Sequence, residues 1–276
     1  MKASPQATPI VLTIAGSDSS GGAGIQADIK TISATGSYAC SVITAVTSQN
    51  TQGVAAIHPI PLAHIESQLD AVFADLNVSV IKVGMMADSS IIQLVADKIQ
   101  CYKPDYLVVD PVMIATSGAV LLEESAVTTL KQSLLPLADL ITPNLAECAA
   151  LVNAPIPVGE DDMGALIEEL RQLGSEAVLL KGGHLPQCQG SNDLLIMPQS
   201  SELLRAKRIL TRNTHGTGCT LSSAIASYLA QGNRLHKAVY LGKQYISQAI
   251  SHADELAVGD GHGPVNHFFA GHSQVR

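Results

Sequence analysis

The stretch Ile10-Val11-Leu12-Thr13-Ile14-Ala15-Gly16-Ser17-Asp18-Ser19-Ser20-Gly21-Gly22-Ala23-Gly24 decides the fold class. Its first six residues are aliphatic or β-branched, the composition of a buried strand, and the run stops at a polar, glycine-rich turn. Helical periodicity takes over at 25–35. A strand passing through a glycine loop into a helix is the opening unit of a parallel α/β sheet. A signal-peptide core fits less well, because the apolar run is short, follows a single lysine and runs straight into Asp18.

The alternation continues outward. Further strands are read at 41–47, 78–83, 106–110, 140–142 and 177–181, with helices at 62–76, 89–99, 123–134, 144–152 and 163–173. The last third adds strands at 193–197 and 203–209, then helices at 219–230 and 235–253 separated by the turn at Gly232-Asn233. No low-complexity linker or internal repeat interrupts the pattern, so one α/β domain over 1–276 is expected, with polar ends at 1–9 and about 270–276. The segments 154–160 and 184–192 read as loops, the second placed either to cover a site or simply to connect.

Composition narrows the function. The 276 residues carry 24 acidic and 16 basic side chains, a net charge of −8, and include no Trp, 3 Phe and 6 Tyr. Nucleic-acid binding would need a basic surface and stacking aromatics, so neither duplex nor single strand is an expected partner. No apolar run reaches the roughly 18–20 residues of a membrane helix. The five cysteines, Cys40, Cys101, Cys148, Cys188 and Cys219, form no CxxC pair. Free thiols in a reducing cytoplasm are expected, with a small-molecule ligand as the working assumption.

Several segments could hold one. Gly22-Ala23-Gly24-Ile25-Gln26-Ala27 fits the dinucleotide pattern GxGxxG/A, but after Asp28 the next acid is Glu66. The acid that would hold a ribose about 20 residues on is therefore missing, which disfavours a dinucleotide oxidoreductase. Gly242-Lys243 is followed by Gln244 inside a helical pattern, so it is no Walker A loop. Asn213-Thr214-His215-Gly216-Thr217-Gly218-Cys219-Thr220 opens a helix and is either an anion nest or a flexible cap. Thr142-Pro143-Asn144-Leu145-Ala146-Glu147 follows a strand, with Thr142 suited to cap a helix. Asn144 and Glu147 there are either a solvated pair or a carboxylate for hydrated Mg²⁺. Lys181-Gly182-Gly183-His184 puts a cation at a strand's C-terminal edge, where open α/β sheets bind ligands.

Together these segments resemble the ribokinase superfamily and, within it, the hydroxymethylpyrimidine/phosphomethylpyrimidine kinases of thiamine biosynthesis. The resemblance spans nearly the whole chain. Its other carriers are Thr44-Ala45-Val46-Thr47-Ser48-Gln49-Asn50-Thr51, Lys82-Val83-Gly84-Met85, Val109-Asp110-Pro111-Val112-Met113 and the ending Gly261-His262-Gly263-Pro264-Val265-Asn266-His267. The fold it implies is a ribokinase-like three-layer α/β/α sandwich around a mainly parallel sheet. The activity it implies is transfer of the ATP γ-phosphoryl to 4-amino-5-hydroxymethyl-2-methylpyrimidine and then to its monophosphate, with Mg²⁺, in a cytoplasmic enzyme that is commonly a homodimer.

The resemblance also implies roles. Gln49 would hydrogen-bond the pyrimidine edge, with Gly16, Ala23, Asp28, Met85 and Val112 shaping the pocket. Asn144, Glu147 and Asp110 would serve the ATP and metal side, the two carboxylates through water. Lys181 and Thr214 would meet ATP, and Gly216, Gly218 and Cys219 would form the anion hole. Most sugar kinases of the superfamily have aspartate where this chain has Cys219. A helix N-terminus lowers a thiol's pKa, so a thiolate can accept the alcohol proton, while a thiol that stays mostly neutral adds no repulsion against the phosphate of the second step; Cys219 reads as a compromise serving both. Pyridoxal kinases of the same subgroup share these motifs and are the alternative reading; a catalytically dead pyrimidine sensor is disfavoured by the intact Asn144, Glu147, Lys181 and Cys219 set.

Overall fold

The computed structural model describes residues 8–113, 122–186, 188 and 190–271. In chain order the elements are β1 (Ile10–Asp18), α1 (Gly24–Ala34), β2 (Tyr38–Asn50), β3 (Gly53–Pro59), α2 (Leu62–Asp75), β4 (Val80–Val83), α3 (Ser89–Tyr102), β5 (Tyr106–Val109) and α4 (Glu124–Thr129). They continue with β6 (Leu140–Ile141), α5 (Leu145–Val152), α6 (Glu160–Ala165), α7 (Ile167–Arg171), β7 (Val178–Lys181), β8 (Asp193–Met197), β9 (Ser200–Leu204), α8 (Thr217–Ala230) and α9 (Leu235–Ser251). Residues 1–7 and 272–276 of the expected chain ends, and 187 and 189 of the loop at 184–192, lie outside the described residues.

All strands join one sheet in the order β3-β2-β1-β4-β5-β6-β7-β8-β9. The six central strands from β2 to β7 run parallel, and antiparallel partners β3 and β8 flank them. Strand order reverses between β1 and β4, whose ends therefore open a crevice. Side chains alternate across the sheet. Leu12, Ile14, Ile81, Val83, Leu107 and Val109 pack against α2, α3 and α5, while Val11, Val80, Val108, Leu140 and Leu179 pack against α8 and α9. Helices on both faces of a mainly parallel sheet make the three-layer sandwich expected from the sequence. Among the described residues no helix is long and apolar enough to cross a membrane.

Three readings need correction. The edge strand β3 was not foreseen, because most of its residues face solvent and carry no buried-strand signature. The last strand ends at Leu204 instead of extending through 203–209, since Met197 pairs with Ser200 across a tight turn and sets the register of the hairpin. The helix expected at 163–173 is two short helices, broken where Leu166 leaves helical geometry at φ −94°, ψ 4°.

Candidate active site

A cavity of about 930 Å³ lies along the C-terminal ends of the parallel strands. Every site residue expected from the sequence lines it except Asp28: Gly16 and Ala23, Gln49, Met85, Asp110 and Val112, Asn144 and Glu147, Lys181, Thr214, and Gly216, Gly218 and Cys219.

At one end, the loop after β1 is folded around Asp18. Its Oδ1 accepts from the Ser20 N–H and hydroxyl at 2.9 and 2.8 Å, and its Oδ2 from the Gly22 and Ala23 N–H groups at 3.0 and 2.8 Å. His215 Nε2 adds a fifth contact to Oδ2 at 2.8 Å. Burial alone would raise this carboxyl, but His215, Ser20 and Ala23 outweigh it and hold the group at about 2. The loop is thus pinned to the segment that opens α8. Gly216 has φ +77°, and a Cβ there would fall 1.8 Å from the Gly22 carbonyl oxygen, so glycine is required on both conformational and steric grounds.

The start of α8 presents the N–H groups of Gly218 and Cys219 in a first turn that has no internal acceptor for them. Gly218 also leaves room for charge, since a Cβ there would lie 3.2 Å from Lys181 Nζ and 3.4 Å from Asp110 Oδ2. Lys181 Nζ donates to Asp110 Oδ1 at 2.8 Å, and Thr142 Oγ1 donates to the same oxygen at 3.0 Å. Burial opposes both charges. Lys181 and Lys82 nevertheless keep Asp110 low, and Asp110 and Glu147 keep Lys181 high.

Glu147 departs from the solvated pair the sequence left open. It is 4% exposed. Its Oε2 accepts from the Asn144 N–H at 2.8 Å, while Asn144 Oδ1 accepts from the Glu147 N–H at 2.9 Å. This reciprocal capping box makes Asn144, and not Thr142, the helix cap. Burial pushes the Glu147 carboxyl up to about 7, with the Asp110 charge adding to the effect and Lys181 opposing it. Glu147 and Asp110 are hard oxygen donors whose mutual repulsion Lys181 offsets only in part, and a divalent cation would relieve the rest. No group of three potential His, Cys, Asp or Glu ligands occurs among the described residues. Two carboxylates with water filling the remaining positions suit Mg²⁺ better than Zn²⁺.

Two expectations fail on burial. Asp28 faces inward from α1 and is fully buried. There it pairs with Lys82 through both oxygens at 2.9 Å and accepts from Thr13 Oγ1 at 2.6 Å and Ser223 Oγ at 2.7 Å. It supports the floor of the site but does not line it. Cys219 is no low-pKa thiolate: burial, joined by the Asp28 and Asp110 charges, pushes its thiol up to about 11 against the pull of Lys82. Desolvation outweighs Lys82 and the Gly24 N–H at this position.

Other lining residues carried no role in the sequence reading. Lys82 stands in an all-buried strand, Val80-Ile81-Lys82-Val83, where a lysine requires a partner, and that was the available signal. His215 sat unassigned inside a glycine motif. Lys243, set aside with the rejected Walker A reading, reaches the opposite end of the cavity and pairs there with Asp193.

Comparison with known proteins gives this geometry its context. The phosphomethylpyrimidine kinase family matches residues 18–266. A hydroxymethylpyrimidine/phosphomethylpyrimidine kinase of Rhizobium meliloti is 50% identical over 261 residues, covering 95% of this chain and 97% of its own. The thiamine biosynthesis bifunctional protein ThiED of Geobacter sulfurreducens is 50% identical over 260 residues, and this chain spans about half of it, 52%. A pyridoxal kinase from Staphylococcus aureus, solved with AMP-PCP and pyridoxal, superposes with a TM-score of 0.89 at 30% identity, covering 97% of this chain and 96% of its own.

Proposed function

The chain belongs to the phosphomethylpyrimidine kinase family, and from that membership we propose that it moves the γ-phosphoryl of ATP to 4-amino-5-hydroxymethyl-2-methylpyrimidine and then to the monophosphate so formed. The diphosphate product serves thiamine biosynthesis. One observation carries the reading: a single cavity holds a polar amide at Gln49, a helix-terminal anion hole at Gly216 to Cys219, and the Lys181, Asp110 and Glu147 charges beside that hole.

Each part has a task. Gln49 binds the aminopyrimidine edge, with Gly16, Ala23, Met85 and Val112 around the ring. Gly16 is suited to this because a Cβ there would crowd Met85 Sδ at 3.0 Å. Thr214, Asn144 and Lys181 hold ATP, and the N–H groups of Gly218 and Cys219 stabilise charge on the transferring phosphoryl. Asp110 and Glu147 hold Mg²⁺ through water. When bound, that ion supplies neutralisation of phosphate charge, the main requirement of phosphoryl transfer. The whole chain acts as one kinase domain, in the cytoplasm and as a homodimer.

A second reading is favoured by the Staphylococcus aureus relative, whose complex contains pyridoxal. Incubating the protein with ATP, Mg²⁺ and the pyrimidine, its monophosphate or pyridoxal separately, with product detection by mass, distinguishes the two. The expected result is efficient phosphorylation of both pyrimidines and slower turnover of pyridoxal. Pyridoxal phosphate as the sole product would establish the second reading.

A further inference from the structure

The ending Gly261-His262-Gly263-Pro264-Val265-Asn266-His267 lines no part of the cavity, yet its backbone joins the two halves of the site. On the substrate side stands the tip of the β2–β3 hairpin. The last pairing of β1 with β2 is Asp18 with Thr47, so Ser48 to Asn50 run on past the parallel sheet with the edge strand β3 as their sheet neighbour. Ser19 Oγ accepts the Gln49 N–H at 2.8 Å. Just beyond, the C-terminal segment takes hold. The His262 N–H donates to the Thr51 carbonyl oxygen at 2.9 Å, and the Gly261 N–H donates to Thr51 Oγ1 at 3.2 Å.

On the phosphate side, the Gly263 carbonyl accepts the His215 N–H at 3.0 Å, and Pro264 pairs with His215 in a short parallel bridge. His215 immediately precedes Gly216, where the anion hole begins. Two hydrogen bonds and the two residues His262 and Gly263 therefore connect the hairpin tip to the anion-hole loop. The connection has little slack. A Cβ on Gly261 would fall 2.1 Å from the Thr51 carbonyl oxygen, and one on Gly263 would fall 2.3 Å from Asn213 Oδ1. Neither glycine has a positive φ, so the closeness of the neighbour, and not the backbone conformation, requires glycine there. The far end is anchored on the core: Val265 is fully buried, the Asn266 N–H donates to the Ala249 carbonyl at 3.1 Å, and the Tyr245 hydroxyl donates to the His267 carbonyl at 2.6 Å.

We propose that Thr51 and the segment Gly261-His262-Gly263 are positioning residues for the transfer: they hold the substrate hairpin at a fixed distance from the anion hole, and so set the approach of the substrate hydroxyl to the γ-phosphoryl. The inference deepens the kinase reading and rests on it. Each ligand can bind within its own half of the cavity, but transfer requires both halves in register, and a misplacement of about 1 Å can cost roughly a hundredfold in rate. The linkage therefore acts on kcat and leaves either affinity nearly unchanged.

The test uses Gly261→Ala, which wedges the segment away from Thr51, and the pair Thr51→Val and Thr51→Ser, of which the first deletes the Oγ1 acceptor without a clash and the second keeps it. Dissociation constants for 4-amino-5-hydroxymethyl-2-methylpyrimidine and for AMP-PCP are measured by calorimetry, and kcat by product detection at saturating substrates. Gly261→Ala is expected to lower kcat by about tenfold to a hundredfold while both dissociation constants stay within about threefold of the wild type. Thr51→Val should lower kcat by about threefold to tenfold, and Thr51→Ser should recover most of that loss. Should Gly261→Ala fail to fold, the Thr51 pair decides. An unchanged kcat in Thr51→Val would overturn the inference, as would a loss in kcat matched by an equal loss of pyrimidine affinity, or one that Thr51→Ser does not recover. A wild-type protein that phosphorylates no pyrimidine would instead overturn the kinase reading.

Discussion

Asp28 and Lys82 are both fully buried, and the carboxylate is saturated by Lys82, Thr13 and Ser223. Removing one charge from such a pair strands the other. Lys82→Met is expected to cost about 3–5 kcal/mol in denaturant unfolding, whereas the double variant Asp28→Asn with Lys82→Met costs much less. Equal losses in the two would contradict the pairing. Cys219 carries a different consequence. With its thiol at about 11, the side chain is neutral at physiological pH and adds no repulsion when the incoming nucleophile is a phosphate monoester. A carboxylate in its place would repel that anion. A neutral thiol takes no proton from an attacking alcohol, so Cys219→Ala is expected to change kcat for the hydroxymethyl substrate and for the monophosphate alike, each by less than about tenfold. Steady-state rates with each substrate decide this, and a larger loss confined to the hydroxymethyl substrate would contradict it.

At the scale of elements, the start of α8 is fixed from behind by the C-terminal segment. Thr220 Oγ1 donates to the Gly216 carbonyl at 2.8 Å and meets His267 Nε2 at 3.1 Å. Burial, with some help from Lys30, pushes His267 down to about 4 from an ordinary 6.5. Between those values the unfolded chain binds a proton that the folded chain refuses, so stability is full above pH 6.5 and is withdrawn as pH falls towards 4. The contribution amounts to about 3 kcal/mol. Chemical denaturation across pH 4–7 should show this slope, and His267→Gln should flatten it; an unchanged slope would assign the acid sensitivity elsewhere. Elements differ in how clearly the sequence announces them. The buried parallel strands show as apolar runs, and α8 as a glycine turn followed by a helical period. Strand β3 does not show, because an exposed edge has no burial pattern to read. The inward turn of Asp28 and the upward shift of Cys219 depend on what packs against them from β4 and α1, contacts distant in sequence.

The whole molecule brings together residues from 16 to 219 at one edge of a nine-stranded sheet while carrying a net charge of −8. Overall charge cannot recruit ATP or a pyrimidine monophosphate, so positive potential has to be local. Lys181 and the α8 terminus provide it in this fold, and the family's motifs made both visible in the sequence. The pinning of the Asp18 loop by His215 was not visible, because the two residues lie 197 positions apart in sequence. Everything converges on one site performing two successive transfers. The most direct test is a single reaction started with 4-amino-5-hydroxymethyl-2-methylpyrimidine, excess ATP and Mg²⁺, followed in time by phosphorus NMR. The monophosphate is expected to rise and then fall as the diphosphate appears. A reaction yielding no phosphorylated pyrimidine, or stopping at the monophosphate with ATP to spare, would contradict it.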